Sequence, residues 1–227
     1  MTPVRALLLM GAMSVSGAAI AADAPKPDPN FSFFVTSAGS GKGGNLGGIA
    51  GADAHCQKLA AAVGAGDRVW RAYLSTQAVH GGPVVNARER IGTGPWYNVK
   101  GDLIAQNLSH LHGDTLEEAR AGNRITFRTA LTEQGKEVNG HDSAPDLPRP
   151  GDHNWHDIMT GTQWTGMAYD DDGDHTCKNW TSDGEGSVQF GHYNRPQWNS
   201  IHGSKSCNQE EMLKGTSGAL FYCFAAD

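Results

Sequence analysis

The sequence predicts one domain that mixes short strands with a helix and carries long loops. Three observations point there: a β-rich run followed by a helical pattern near the front, an apolar run that closes the chain, and a long aperiodic middle between them. Phe31 to Thr36 (FSFFVT) reads as a strand, and the glycine-rich stretch from Ser37 to Gly48 reads as a loop. From Ile49 to Val63, Ala52, Cys56, Leu59, Ala60 and Val63 recur at helical spacing, with Asp53 near the start and Gly64 at the stop. The next run alternates, with Trp70, Ala72 and Leu74 on one face and Val69, Arg71, Tyr73 and Ser75 on the other, as a strand does. Ala219 to Phe224 (ALFYCF) reads as a buried terminal strand.

Between Gly92 and Pro150 only Ile125 to Leu131 looks strand-like, and the rest is expected to form long loops. Structureless stretches of that length inside a domain are usually functional. With 227 residues, 38% of them hydrophobic, the chain can bury one core. The formal net charge of -6 argues against a general phosphate-backbone binder, so nucleic acid is not an expected partner. No apolar run reaches the roughly 20 residues that span a bilayer, so no membrane span is expected.

The first residues form a signal-peptide pattern over 1–21: Arg5 in a charged leader, an apolar stretch from Ala6 to about Val15, and the small-residue exit Ala19-Ile20-Ala21. A linker over 22–30, rich in Pro and Asp, separates it from a domain over 31–227. The product is expected to be secreted or periplasmic, with Ala-rich bacterial style in the leader. In such an oxidising compartment Cys56, Cys177, Cys207 and Cys223 suggest two disulfides rather than a metal site, since no pair is Cys-x-x-Cys. Four cysteines permit three pairings.

Gly51-Ala52-Asp53-Ala54-His55-Cys56-Gln57 and Arg71-Ala72-Tyr73-Leu74-Ser75 are similar to the helix and strand of the endostatin domain. Cys177-Lys178-Asn179-Trp180, Ser206-Cys207 and Phe221-Tyr222-Cys223 resemble that domain's later segments, in the same order. Gly94-Pro95-Trp96-Tyr97-Asn98 and Asn179-Trp180-Thr181-Ser182 resemble stretches of exported bacterial lectin-like proteins of the same superfamily. The resemblance covers about Phe31 to Asp227. It implies an α+β, C-type lectin-like (endostatin-like) fold with nested disulfides, Cys56 with Cys223 and Cys177 with Cys207. That fold hosts many kinds of binder, so it does not by itself name a ligand. Trp198-Asn199-Ser200 keeps two of the three residues of the lectins' Trp-Asn-Asp strand, and no Glu-Pro-Asn or Gln-Pro-Asp loop precedes it.

Three clusters carry candidate chemistry. Asp170, Asp171, Asp172 and Asp174 around Gly173 would suit calcium, a hard cation that takes oxygen ligands, although the segment fails the EF-hand register. The ten histidines invite a zinc reading: His110 with His112 on one face of a strand, and His153 with His156 on one helix turn. No HEXXH is present, and loop imidazoles bonded to acids such as Asp152 and Asp157 are the expected alternative. Trp96, Tyr97, Tyr193 and Trp198 lie among Gly, Pro and Asn, where exposed rings would stack on a sugar while Asn199 bonds its hydroxyls. Trp70, Trp164 and Trp180 are expected in the core.

Neither Gly-x-Ser-x-Gly nor a free cysteine nucleophile is expected, so the reading is a non-enzymatic binding protein. The expected partner is a glycan, with an extracellular host or matrix protein as the alternative. A metal-dependent hydrolase acting through His153 or His156 is the third reading.

Overall fold

The computed structural model describes residues 26–138 and 154–227. Residues 1–21, expected as a signal peptide, lie outside the described residues, as do His153 and Asp152. The expected linker is described from Lys26 onward, and its end is already tied to the domain: Asp28 N–H donates to the Val99 carbonyl at 3.0 Å.

The fold is α+β. Eight strands are present among the described residues: β1 (Phe33–Val35), β2 (Trp70–Ala72), β3 (Trp96–Tyr97), β4 (Leu103–Ala105), β5 (Asp157–Met159), β6 (Gln189–His192), β7 (His202–Gly203) and β8 (Leu220–Ala225). The helices are α1 (Gly48–Ala62), α2 (Leu108–His112), α3 (Leu116–Ala121) and a further short one over Gln209–Lys214. The terminal strand β8 organises the main sheet. Along one edge it pairs antiparallel with β1, in the register Phe34 opposite Cys223. Its other edge is shared: β2 runs antiparallel along Cys223 to Ala225, and β5 runs parallel at Leu220 and Phe221. From β5 the sheet continues antiparallel through β6 to β7. β3 and β4 form a separate two-stranded sheet.

Strand alternation sorts side chains into two cores. Phe34, Met159, Phe221, Cys223 and Ala225 face the α1 side, packing with Ala52, Cys56, Ala60, Trp70 and Trp180. Phe33, Val35, Ile158, Leu220, Tyr222 and Phe224 point to the other side, against Tyr73, Trp96, Ile104, Leu111, Tyr193 and Trp198. A period of two on a sheet covered on both faces requires this division. The disulfides are Cys56–Cys223, which fastens α1 to β8, and Cys177–Cys207.

Several sequence expectations change in three dimensions. Trp164 is not in the core: it is 64% exposed, whereas Trp70 and Trp180 are buried. The stretch from Ile125 to Leu131 forms no strand. Thr126 and Thr129 bond each other's hydroxyls and backbone, and Ala130 N–H returns to the Thr126 carbonyl at 2.8 Å, which folds the segment into turns. The middle contains the β3–β4 pair and two helices rather than loops alone. Asn107 caps α2 by accepting from His110 N–H, and Thr115 caps α3 by accepting from Glu118 N–H. Thr115 with Glu118 is the Thr-x-x-Glu spacing of a capping box, a signal readable in the sequence.

Candidate functional site

The β6–β7 connection carries the first candidate site. Gly191 in β6 is what admits it: a Cβ there would lie 1.9 Å from the Trp198 carbonyl oxygen, so only glycine lets the loop fold back over its own strand. The returning residues bury Trp198 and Asn199, while Arg195, Gln197 and Ser200 line an open groove of about 630 Å³. Arg120, Phe127 and the exposed Trp164 also line it.

Beneath the groove runs a buried polar chain. Asn199 Nδ2 donates to the Tyr73 hydroxyl at 3.0 Å and to the Trp164 carbonyl at 3.0 Å. The Tyr73 hydroxyl lies 2.8 Å from His112 Nε2, and His112 Nδ1 lies 2.9 Å from the Leu108 carbonyl. Because a carbonyl only accepts, His112 carries its proton on Nδ1 and its Nε2 accepts from Tyr73. Burial pushes the His112 imidazole down to about 4, against the opposing pull of the Leu108 carbonyl. Burial likewise raises the Tyr73 phenol above its ordinary range, although the Asn199 bond opposes it. Both groups are neutral near pH 7, so the chain is a fixed support and not a proton store. Gly166 is part of the same construction: its φ is +80°, and a Cβ would lie 2.5 Å from His112 Nε2.

Of the expected aromatic platform, Trp96 and Tyr193 are buried and Tyr97 half-buried, and none of the three lines the groove, whereas Trp198 and Asn199, although each only 3% exposed, do line it. The polar atoms of the first two are committed inward: Trp96 Nε1 donates to the Ile91 carbonyl and the Tyr193 hydroxyl to the Val138 carbonyl. A glycine-, proline- and asparagine-rich neighbourhood marks a tight turn, and here the turn folds its rings under itself. Asn199 is also buried, with its amide spent on Tyr73 and Trp164, so it positions the exposed tryptophan rather than facing solvent.

The acidic run is not a gathered ligand set. Asp170, Asp171 and Asp172 are exposed, and Asp171 bonds the neighbouring His175 at 2.9 Å. Asp174 points the other way, accepting from Thr176 N–H at 3.0 Å and Lys178 N–H at 3.1 Å and meeting His80 Nε2 at 2.9 Å. It is needed there because Cys177, Lys178, Asn179 and Trp180 all have positive φ, a left-handed turn that L-residues adopt only when held. Asn179 completes the clamp, accepting from Gln77 N–H at 2.7 Å and donating to the Gln77 carbonyl at 2.9 Å.

His110 and His112 do not share a face of a strand. They stand two apart on α2, where His110 bonds Gln106 and Gly122 and His112 turns into the core.

A second cluster was only partly visible in the sequence. His156 abuts Asp157 at the head of β5, Nε2 to Oδ1 at 3.5 Å, and is buried rather than on the surface. Pairing of β5 with β6 sets Asp157 opposite His192, and pairing of β6 with β7 sets Phe190 opposite His202. His192 Nε2 then lies 2.7 Å and His202 Nε2 3.5 Å from the same Asp157 oxygen. Burial alone would push the Asp157 carboxyl up, but the His192 contact, the Thr216 hydroxyl and the nearby His202 and His156 outweigh it and hold it below the usual carboxylate range. His156, Asp157 and His192 form the only group of three or more converging His, Cys, Asp or Glu ligand atoms among the described residues.

No family model and no curated protein matches the chain. Two disulfides suit an oxidising compartment. Among the described residues no helix is long and apolar enough to cross a membrane.

Proposed function

We propose that the chain is an exported, non-enzymatic binding protein of the C-type lectin-like, endostatin-like kind, and that its ligand is a glycan held in the groove beside Trp164. One observation carries this reading: a large ring 64% exposed at the rim of a groove whose other lining residues include Arg120, Arg195, Gln197 and Ser200. Sugars present an apolar face to stack on and a rim of hydroxyls to bond, and this lining supplies both kinds of contact. The two guanidinium groups favour a saccharide that bears a carboxylate or sulfate, because arginine binds such groups in bidentate fashion.

The recognition surface therefore moves from the ring set read in the sequence to Trp164 and the 195–200 loop. Trp198 and Asn199 support it from below. Calcium has no part in this reading, since the acidic residues 170–174 do not line the groove.

A glycan-array screen of the oxidised protein, with and without added calcium, tests the proposal. The expected result is selective retention of acidic saccharides, equal in the two buffers and lost in Trp164→Ala. Retention of no glycan in either buffer would contradict it and turn the search to an extracellular protein partner.

A further inference from the structure

We infer that His156, Asp157, His192 and His202 form a binding site for a divalent transition-metal ion, zinc being the natural occupant. The inference is independent of the glycan reading.

Ligand spacing is the first argument. Four atoms bound tetrahedrally to zinc at about 2.0–2.2 Å stand roughly 3.3–3.6 Å from one another. Two of the measured separations match that edge, 3.5 Å from Asp157 Oδ1 to His156 Nε2 and 3.5 Å to His202 Nε2, and two are shorter, 2.7 Å to His192 Nε2 and 3.1 Å between the His192 and His202 nitrogens, so a bound ion would spread the His192 contacts by less than about 1 Å. The ligand atoms of His156, Asp157 and His192 all lie within 4.8 Å of one another.

Ring orientation is the second. His156 Nδ1 lies 3.0 Å from the Asn154 side-chain oxygen, and His202 Nδ1 lies 3.2 Å from the Gly203 carbonyl. Both partners only accept, so both imidazoles donate through Nδ1 and turn Nε2, the atom a metal would take, toward Asp157. His192 Nε2 faces His202 Nε2 at 3.1 Å. Asp157 Oδ1, although 2.7 Å from His192 Nε2, is buried with no aligned hydrogen-bond donor. Three ring nitrogens and one carboxylate oxygen thus converge on one space. A cation there, displacing any protons on those nitrogens, would take all four atoms as ligands.

The surroundings are those of a built site. Nδ1–H bonds to an amide and a carbonyl, and the Thr216 hydroxyl on Asp157 Oδ2, are the outer contacts that orient metal ligands. The Asp157, His156 and His192 side chains are 3%, 10% and 12% exposed, whereas that of His202 is 45% exposed and, with Asp157, lines a second groove. An ion can therefore reach a largely buried set through its one open ligand. Bound there, it would tie β5, β6 and β7 together at the base of the 193–201 loop.

The test is zinc and cobalt titration of the tag-free, oxidised protein after chelator treatment, followed by calorimetry and by the visible ligand-field bands of four-coordinate cobalt. The wild type is expected to bind one ion per chain with tetrahedral cobalt bands, and its melting temperature to rise by about 5–10 °C at a hundredfold excess over Kd. His192→Ala and His202→Ala should each weaken binding more than about a hundredfold, and Asn154→Ala by about 10- to 100-fold. His175→Ala, beside the acidic run, should leave binding unchanged. His202 is half-exposed, so its variant should fold even if the His192 variant does not. No binding by the wild type, or binding unaltered in His202→Ala, would overturn the inference.

Discussion

His112 couples the floor of the groove to pH. Its imidazole is held near 4 by burial, against an ordinary value of 6.5 in the unfolded chain, so the folded state keeps it neutral where the unfolded state protonates it. A depressed imidazole stabilises the fold fully above its unfolded value and loses that contribution as pH falls toward its folded value. The loss accrues between pH 6.5 and about 4 and amounts to about 3 kcal/mol. The ion pair of Arg88 with Asp114 supplies opposing charges near the same group and largely cancels within itself. Urea denaturation across that window should show the decline in wild type and a clearly flatter one in His112→Phe. Equal slopes in the two would remove His112 as the cause.

Two tryptophans separate the proposed recognition from stability at the same scale. Trp198 packs against Tyr73 and Tyr222 beneath the loop, and its replacement by alanine should cost about 3–5 kcal/mol. Trp164→Ala removes an exposed ring and should change stability by no more than about 0.5 kcal/mol. Comparable denaturation midpoints for the two variants would contradict this division.

At the scale of elements, the left-handed turn at Cys177–Trp180 holds four non-glycine residues at positive φ. Each costs about 1–2 kcal/mol, which its clamps offset: the Cys177–Cys207 disulfide, Asp174, Asn179, and Trp180 Nε1 donating to the Ser75 carbonyl at 2.7 Å. Lys178 contributes only an exposed ion pair to Glu185, so glycine there relieves strain at little loss. Lys178→Gly should therefore raise stability by up to about 1 kcal/mol after the entropic cost of glycine, whereas Asn179→Gly should lower it by removing the Gln77 clamp. Thermal denaturation of the pair checks the opposite signs.

Elements were legible in proportion to how local their signals are. Strands β1 and β2 lie inside the runs that predict them, and helix α1 and strand β8 match theirs to within one residue, because each buries a face against the two cores. The strand pattern at Ile125 to Leu131 failed since threonine hydroxyls offered the backbone closer partners than a sheet edge. Trp164 reads like Trp70 and Trp180 in sequence, but it sits in a turn closed by Gly166 N–H to the Gln163 carbonyl and by Asn199 on its own carbonyl, contacts that no local pattern announces, and its ring stays outside. The histidine cluster could not be read at all beyond His156 and Asp157, because sheet register brings in His192 and His202 from more than thirty residues away.

For the molecule as a whole, Cys56–Cys223 closes a loop with a sequence separation of 167 and Cys177–Cys207 one of 30. Loop entropy assigns the outer bridge about 5 kcal/mol and the inner about 4 kcal/mol. The inner bridge also holds the left-handed turn, so replacing Cys177 and Cys207 by alanine should cost at least as much as replacing the outer pair. Denaturation of the two double variants checks this ranking, and a clearly cheaper inner bridge would show that the turn persists without it.

The proposed glycan rests against Trp164. Proton–nitrogen correlation spectra of the indole groups, recorded while an acidic oligosaccharide is added, test it most directly. The Trp164 Nε1–H signal should shift in proportion to occupancy, while those of the buried Trp70 and Trp180 stay in place. A shift confined to other indoles, or none with any saccharide, would contradict the claim.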